Sequence, residues 1–461
     1  MKYYLLLITL VIFSGLNFAQ SGYDSALESI KKNDFKNAIN IADKLFNADS
    51  SDVALKILVD VTSKDTTNKQ AYELLGDVYN KMKVYVLAID NYNKAERLDT
   101  LDAKLKFKIA QVFEKQQQYT DAANAYLQVI TRDSTYSQAY LNLGELLYYA
   151  KQYPNAAFYL SRYLKFDQKD YKVYLYAANS FYLMQNFSNA ARVALEGLQN
   201  FPDKIELKKI AGLSLVVDKK YDDALKLINT IPDSVFSAKE YSQIGVELQA
   251  GTQDSLAIIF MQKALTKDSS LVNLYESIAN MYLTLGKYDE AVPYYDKKIQ
   301  ADSTSVSAHV NKALCQIQLK DYNGARISLL QAIQIKGDYI PSIVWLARDY
   351  RYMDSLSAAS DAYQKMIKQT TGNEEKYKTE LSEAYGFFGY TDLLKKRYKS
   401  AIDNLKSSIT YAPDNWQYHL WLAQAYALSG SKNEAVKEYK QVLELDPKNA
   451  DARRGLKLIG L

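Results

Sequence analysis

An alanine recurs along most of the chain at a nearly constant interval of 34 positions, and an aromatic residue stands three positions before each of the first five. Two steps differ: the step from Ala224 to Ala257 is shorter by one position, and the step from Ala359 to Ala401 is longer by eight. The alanines are Ala88, Ala122, Ala156, Ala190, Ala224, Ala257, Ala291, Ala325, Ala359, Ala401 and Ala435. A fixed period of this length is typical of chains that fold as stacked copies of one small unit. We therefore expect a repeat array rather than one core built from distant segments.

A second small residue stands 12 positions before each of these alanines. Two antiparallel helices approach closely only where facing side chains leave room. Larger side chains, such as Tyr92 and Tyr126, stand four positions after most of the alanines, on the same helix face. The pattern predicts a closely packed helix pair in every period. The second set of small residues is Gly76, Ala110, Gly144, Ala178, Gly212, Gly245, Ala279, Ala313, Ala347, Gly389 and Ala423.

Helix-breaking residues are scarce, with 17 glycines and 7 prolines in 461 residues, which favours long runs of helix. Pro202, Pro413 and Pro447 each stand 12 positions after one of the alanines, where a helix cannot continue. In other periods an aspartate followed by Ser or Thr takes this place, as at Asp99 and Asp133. We expect these side-chain oxygens to cap the next helix.

The period of 34, the segment Leu75–Tyr79 with its Leu-Gly-x-x-Tyr pattern, and Ala88, Tyr92 and Ala95 resemble the tetratricopeptide repeat. The resemblance covers residues 68–449, with about 11 repeats. It implies an all-α fold, a right-handed superhelical solenoid of antiparallel helix pairs.

Three segments depart from the period. Residues 20–67 are predicted to form irregular helices of the same type, because two anchor-like alanines there, Ala38 and Ala54, stand much closer together than one period. The longest step places an insertion near residues 370–378, which we interpret as a loop, a helix extension or a hinge. Residues 450–461 are predicted to form a C-terminal capping helix, which stacked repeats require.

Residues 1–19 have the pattern of a secretory signal peptide: Lys2 at the start, an apolar stretch over residues 4–13, and Ala19 before the expected cleavage point. We expect export to the periplasm or cell surface, without stable membrane insertion after cleavage. No cysteine lies near that point to accept a lipid, so a lipoprotein is not expected. The single cysteine, Cys315, cannot form an internal disulfide and is predicted to be a small buried side chain.

No catalytic, cofactor-binding or metal-binding residues are predicted. The two histidines, His309 and His419, and one cysteine are too few and too scattered for a zinc site, so packing or solvent-facing roles are expected. The sequence contains no glycine-rich phosphate loop and no Gly-x-Ser-x-Gly motif. The net charge of +4, without a block of like charges, argues against nucleic acid as a partner.

The resemblance also implies a binding groove lined by the first helix of each repeat. Its positions lie three before, one after and four after the small residue of that helix. The middle of this groove is apolar and aromatic, which favours a partner that offers apolar and aromatic side chains. A packing role between neighbouring repeats is the alternative interpretation of the same residues. The groove positions are Leu141, Glu145 and Tyr148; Leu175, Asn179 and Tyr182; Lys209, Leu213 and Val216; Glu276, Asn280 and Leu283; Val310, Leu314 and Ile317; and Val344, Arg348 and Arg351.

Some members of this family hold the acidic carboxyl-terminal tails of cytosolic chaperones with lysine and asparagine at matched positions. Here Lys209 shares its repeat with Leu213, and Asn179 with Leu175, so that arrangement is missing. We therefore predict a non-catalytic protein–protein interaction scaffold of the bacterial cell envelope, with envelope or secretion proteins as partners. The alternatives are an exported glycan- or nutrient-capturing protein, which the three tryptophans and short connections disfavour, and a hydrolase, for which no residue cluster was found.

Overall fold

The computed structural model describes residues 19–460, so all but the last position of the predicted signal peptide lies outside the described part. Every regular element in that range is a helix, and successive helices pack in pairs across short turns. The predicted all-α fold of helix pairs is confirmed. No helix among the described residues is long and apolar enough to cross a membrane.

The chain divides into two compact units between Phe236 and Ser237, which we call the N-terminal and C-terminal units. The boundary falls within the single short step of the repeat, between Ala224 and Ala257. The N-terminal unit contains α1 (residues 19–31), α2 (Phe35–Asn47), α3 (Ser51–Lys64), α4 (Lys69–Lys81), α5 (Tyr85–Leu98), α6 (Ala103–Lys115), α7 (Tyr119–Arg132), α8 (Ser137–Tyr149), α9 (Tyr153–Tyr163), α10 (Tyr171–Leu183), α11 (Phe187–Asn200), α12 (Ile205–Val217), α13 (Tyr221–Ile228) and the 3-10 turn Asp233–Val235. The C-terminal unit contains α14 (Ala238–Ala250), α15 (Asp254–Lys267), α16 (Asn273–Thr284), α17 (Tyr288–Ala301), α18 (Val306–Gln318), α19 (Tyr322–Ile335), α20 (Ile340–Tyr352), α21 (Leu356–Thr370), the 3-10 turn Glu374–Tyr377, α22 (Lys378–Leu394), α23 (Tyr398–Tyr411), α24 (Trp416–Ser429), α25 (Lys432–Leu445) and α26 (Ala450–Leu458).

The small residues of the repeat lie where the paired helices approach most closely. A Cβ atom placed on Gly76 would lie 2.4 Å from ring carbons of Tyr92, which is fully buried. A Cβ atom placed on Gly144 would lie 2.7 Å from side-chain carbons of Leu160. These are the two repeat positions that the sequence pattern paired, so the predicted close approach is confirmed.

The turn inside each helix pair passes through a residue with left-handed backbone, and most of these residues are not glycine. Lys83, with φ +61°, is one example, and Gly286 and Gly430 are the exceptions among the equivalent positions. At Lys83 the turn is closed by two hydrogen bonds: Val84 N donates to Tyr79 O at 2.9 Å, and Lys83 N donates to Asn80 O at 3.1 Å. This double closure is the Schellman arrangement, and it offsets the steric strain of a left-handed non-glycine residue. The chain can therefore form many tight turns although it contains few glycines.

The capping prediction for Asp99 and Asp133 is wrong in detail. Asp133 Oδ1 accepts hydrogen bonds from the backbone N and the hydroxyl of Thr135, two residues later, and so closes a turn between helices. The residue that caps α6 is Asp102, whose Oδ1 accepts from Leu105 N at 2.8 Å. The side chain of an aspartate just past a helix can accept a hydrogen bond from the backbone two residues later. Because this turn forms before the next helix begins, the aspartate does not cap that helix.

The irregular segments have simple structures. In residues 20–67, α3 is a single helix between two pairs, beside α2 and α4. The insertion near residues 370–378 forms a turn with one 3-10 segment, and α22 extends over 17 residues where α20 has 13. Cys315 is fully buried, as predicted, and burial raises the pKa of its thiol to about 12.

Candidate functional site

The first helices of neighbouring pairs in the N-terminal unit are joined by polar side chains. Lys108 of α6 reaches back to α4, where its Nζ lies 2.8 Å from Glu73 Oε1 and 2.7 Å from Asp77 Oδ2. Asp77 also accepts a hydrogen bond from the buried hydroxyl of Tyr92 at 2.6 Å. At this end of the unit the first-helix face is occupied by its own ion pairs.

Further along the N-terminal unit, three tyrosines of first helices (Tyr148, Tyr149 and Tyr176) and Tyr153 at the start of the second helix α9 form a cluster, which we call the tyrosine cluster. The ring of Tyr148 stacks on that of Tyr176 with centroids 4.7 Å apart, and Asn179 Nδ2 donates to the Tyr148 hydroxyl at 2.6 Å. The hydroxyls of Tyr149 and Tyr176 lie 2.9 Å apart. Tyr149 is 68% exposed, so its ring is the part of the cluster that a partner can reach.

A half-buried carboxylate, Glu145, lies on α8 beside this cluster. It makes no hydrogen bond or ion pair within residues 19–460. Burial, together with the negative charges of Asp170 and Glu114, raises the pKa of Glu145 above its usual value. A positive charge placed there would reverse that unfavourable environment.

A pocket of about 410 Å³ opens next to the exposed ring of Tyr149. Its lining combines one carboxylate with aromatic and aliphatic surface. Tyr119, on its rim, is 53% exposed. The pocket is lined by Glu114, Tyr119, Leu146, Tyr149 and Ala150.

Several predicted groove residues of the N-terminal unit pack against or bond to other parts of the protein. Leu141 and Leu175 are half-buried and pack on the core, and Tyr182 lies edge-on to Phe187 with ring centroids 5.4 Å apart. Leu213 is only 5% exposed, so it offers almost no surface to a partner. Lys209 Nζ donates to the backbone oxygen of Val235 at 3.0 Å and lies 5.6 Å from the Phe236 ring.

In the C-terminal unit, Arg348 and Arg351 of α20 are held by Glu383 of α22. Arg348 Nε lies 3.0 Å and 3.1 Å from the two carboxylate oxygens, and Arg351 Nη1 lies 3.1 Å from one of them. The Tyr363 hydroxyl donates to the same carboxylate at 2.6 Å. Although burial raises it, the hydrogen bonds from Arg348 and Tyr363 hold the pKa of Glu383 below its usual value. Much of the hydrogen-bonding potential of both arginines is therefore satisfied by contacts inside the protein.

A second pocket, of about 350 Å³, lies beside Arg351 among α20, α22 and α24. Its aromatic wall includes Tyr390 and Trp421, with ring centroids 4.6 Å apart. Gly386 makes room for Tyr418, since a Cβ there would lie 2.4 Å from a ring carbon. Sequence reasoning missed Tyr390, Trp421 and Tyr149. An exposed aromatic residue at a variable repeat position cannot be distinguished by the repeat pattern. The tyrosines that stand close together in the sequence around Tyr149 were a signal that could have indicated this site.

The two histidines have packing roles. His419 Nδ1 lies 2.6 Å from Glu438 Oε2, and its Nε2 lies 2.8 Å from the backbone oxygen of Pro413. Burial alone would lower the pKa of His419, but the Glu438 hydrogen bond raises it above its usual value. His309 is also buried. Among the described residues, no group of three or more His, Cys, Asp or Glu side chains is placed to hold a metal ion.

Three parts of the chain match known protein families. Residues 393–458 match the tetratricopeptide repeat, and residues 26–140 match the C-terminal ARM domain of tetratricopeptide repeat protein 21. Residues 252–332 match subunit 3 of the anaphase-promoting complex, or cyclosome.

Similar proteins occur in several organisms. The chain is 31% identical over 115 residues to the uncharacterized protein ycf37 of Cyanophora paradoxa, across 24% of this chain and 67% of that protein. It is 24% identical over 189 residues to the tetratricopeptide repeat and J domain-containing co-chaperone DNJ1 of Mycosarcoma maydis, across 36% of this chain and 32% of that protein. It is 22% identical over 196 residues to Hsp70-Hsp90 organizing protein 3 of Arabidopsis thaliana, across 41% of this chain and 33% of that protein. The chain thus spans about a third of the length of the last two relatives.

Two solved structures are also similar. The Cut9-Hcn1 hetero-tetramer of the APC/C aligns with a TM-score of 0.37 at 14% identity, over 95% of each chain. The C-terminal part of a TPR repeat-containing protein from Cytophaga hutchinsonii aligns with a TM-score of 0.34 at 19% identity, over 68% of this chain and 98% of that one.

Proposed function

Because this chain is a tetratricopeptide repeat protein, we propose that it is a non-catalytic scaffold that holds partner proteins against the first-helix face of its repeats. Proteins of this family generally act by binding other proteins. The observation that carries the proposal is the tyrosine cluster of the N-terminal unit. It places an exposed aromatic ring, a half-buried carboxylate and a pocket side by side.

The cluster favours a peptide or helix with one aromatic or apolar side chain and one basic side chain. Aromatic rings supply much of the energy at protein interfaces because they bury large area with few rotatable bonds. Tyr149 offers such a ring, and the pocket beside it is large enough for a side chain of the partner. A basic side chain would pair with Glu145, whose surroundings disfavour an isolated negative charge.

We further propose that the scaffold works outside the cytoplasm, in the periplasm or at the cell surface, and that its partners belong to envelope assembly or secretion. The support is the signal-like pattern of residues 1–19. Fractionation of the native cells, with amino-terminal sequencing of the mature chain, tests this part. Recovery of an intact amino terminus in the cytoplasmic fraction would contradict it.

Replacing Tyr149 with alanine is expected to weaken partner binding by about tenfold or more, which is the effect of losing an interface anchor worth about 1.4 kcal/mol or more. The helix content should not change, because the side chain is 68% exposed. The double change Tyr148→Ala with Tyr182→Ala should weaken binding too, but it also removes the stacking and the Asn179 hydrogen bond. Tyr149→Ala is therefore the cleaner test.

The partner is identified by a photo-reactive phenylalanine analogue in place of Tyr149, followed by mass spectrometry of crosslinked products. Phe158 is the matched control position, since it is an aromatic of the same unit on the second helix of a pair and is 53% exposed. Binding of the purified partner is then measured by calorimetry for the native chain, Tyr149→Ala and Phe158→Ala. Equal loss with both variants, or no loss with Tyr149→Ala, would reject the first-helix face.

A further inference from the structure

A cleft of about 630 Å³ opens in the C-terminal unit between α21, α22 and α23. It lies at the longest step of the repeat, where a connection with a 3-10 turn joins α21 to α22 and α22 is extended to 17 residues. Helices α21 and α22 pack more loosely than the equivalent neighbours α23 and α24. The cleft lies between two consecutive repeats and is lined by the second helix of each, α21 and α23.

One position of α21 that lines the cleft differs from the equivalent position in most repeats. In most repeats the residue after the recurring alanine is apolar, as at Ile89, Val292 and Ile402. In α21 that position is Ser360, which lines the cleft together with Ser357 and other polar side chains. A hydroxyl therefore lines the cleft at a position where most repeats carry an apolar side chain.

The cleft also has apolar surface. Phe387 and Phe388 of α22 pack edge-on with ring centroids 5.7 Å apart, and both line it. Ile367 of α21 and Tyr385 of α22 lie beside them, half-buried. An apolar side chain of a ligand would find aromatic and aliphatic contacts here.

The charge of the lining is positive. Lys368, Lys395 and Arg397 face one acidic residue, Asp392. Asp392 is already satisfied, because Oδ2 accepts from Ser400 Oγ at 2.5 Å and from Asn404 Nδ2 at 3.1 Å. Arg397 Nε lies 3.4 Å from its other oxygen.

Neither Lys368 nor Lys395 makes an ion pair within residues 19–460, and both are exposed. Two ammonium groups that are available to a ligand therefore border a partly apolar groove.

We propose that this cleft is a second docking site, and that its occupant is an extended acidic segment of a partner protein. An apolar side chain of the segment packs on Phe388, Ile367 and Tyr385, which are half-buried, and flanking carboxylates pair with Lys368 and Lys395. Complementary charge gives such a site its selectivity between acidic and basic segments. The volume and the apolar surface suit a peptide, whereas a small anion would use only the lysines. The site shares no residue with the tyrosine cluster, so each proposal can fail without the other.

The test uses the full mature chain and two fluorescein-labelled twelve-residue peptides, one of alternating glutamate, leucine and serine and one with uncharged glutamine in place of glutamate. Fluorescence anisotropy is expected to detect the acidic peptide only. Lys368→Glu with Lys395→Glu should weaken its binding by about tenfold or more, and raising the salt concentration should weaken it as well. Lys320→Glu with Lys432→Glu is the matched control, because both lysines are exposed in the same unit and lie outside the cleft lining.

Tryptophan fluorescence checks the fold, since all three tryptophans lie in the C-terminal unit. Equal binding of the two peptides, equal loss with both lysine pairs, or no detectable binding of the acidic peptide would overturn the proposal. Complete displacement by millimolar inorganic phosphate would also overturn it, because the cleft would then be a small-anion site. Phe388→Ala offers a further reading: loss of peptide binding with folding retained supports the apolar contact, and unchanged binding contradicts it.

Discussion

Replacing Tyr92 with alanine is expected to destabilise the N-terminal unit by about 3 to 5 kcal/mol, the range seen when a large buried side chain is truncated. Tyr92 is fully buried, and its ring fills the space that Gly76 leaves open. Its hydroxyl donates to Asp77 at 2.6 Å. The substitution removes both the packing and the hydrogen bond, between helices whose spacing is fixed by their other contacts.

Hydrogen exchange followed by mass spectrometry measures this effect, because a repeat array opens locally rather than all at once. Protection should fall first in α4 and α5, and the C-terminal unit should change least. Tyr92→Phe should cost about 1.5 kcal/mol or somewhat more, because the lost hydrogen bond is to the carboxylate of Asp77. Tyr119→Ala, at a 53% exposed position, should leave protection nearly unchanged. Native protection of α4 and α5 in Tyr92→Ala would show that the close approach is not what holds the pair together.

Asp349→Asn is expected to stabilise the C-terminal unit by up to about 3 kcal/mol at neutral pH, since one pKa unit corresponds to about 1.4 kcal/mol. Asp349 is fully buried on α20, and neither carboxylate oxygen has a hydrogen-bond partner among the described residues. Burial raises the pKa of Asp349 from 3.8 to about 6, with Asp321 adding to the shift and Arg326 opposing it. The amide brings polar atoms of its own, so the gain can be smaller.

The raised pKa of Asp349 determines how the stability of the C-terminal unit changes with pH. Below about pH 4 the carboxyl is protonated in both folded and unfolded chains and has little effect on stability. Between about 4 and 6 the unfolded chain loses its proton first, so stability falls as the pH rises, and above 6 the folded chain carries a buried charge. The stabilisation by Asp349→Asn should therefore be larger at pH 7.5 than at pH 5, by about 1 kcal/mol.

Urea unfolding followed by tryptophan fluorescence at the two pH values measures this difference, because Trp345 lies on the same helix as Asp349. Asp354→Asn is the matched control, since Asp354 lies just beyond that helix and is not buried. A variant Asp349→Asn that is less stable than the native chain at pH 7.5, or a gain that does not change with pH, would contradict the expectation.

Much of the fold follows from local patterns. Gly76 and Tyr92 stand a fixed distance apart in the sequence, and their relation repeats through the chain, so the helix pairs and their contact positions can be read from spacing. The candidate site follows far less well. Tyr149 occupies a position that the groove pattern does not include, and only the neighbouring helix brings Tyr176 to its hydroxyl.

Charged residues show the same limit. Arg348 and Arg351 were predicted to face a partner, yet they are engaged by Glu383, 35 and 32 positions later in the chain. Nothing in the pattern around either arginine indicates that partner. Asp349 is similar, because it is fully buried at a place on α20 equivalent to that of Cys315 on α18, and the repeat pattern does not indicate that an acidic side chain is buried there.

The sequence by itself determined that the chain folds into paired helices and which small and large side chains meet inside each pair. Those contacts span one helical hairpin, so a periodic pattern encodes them. The tertiary structure alone decided which first-helix side chains remain available, where the longer repeat opens a cleft, and which charges are already paired. Those features depend on contacts between successive repeats, where the residues vary and the spacing carries no information about partners.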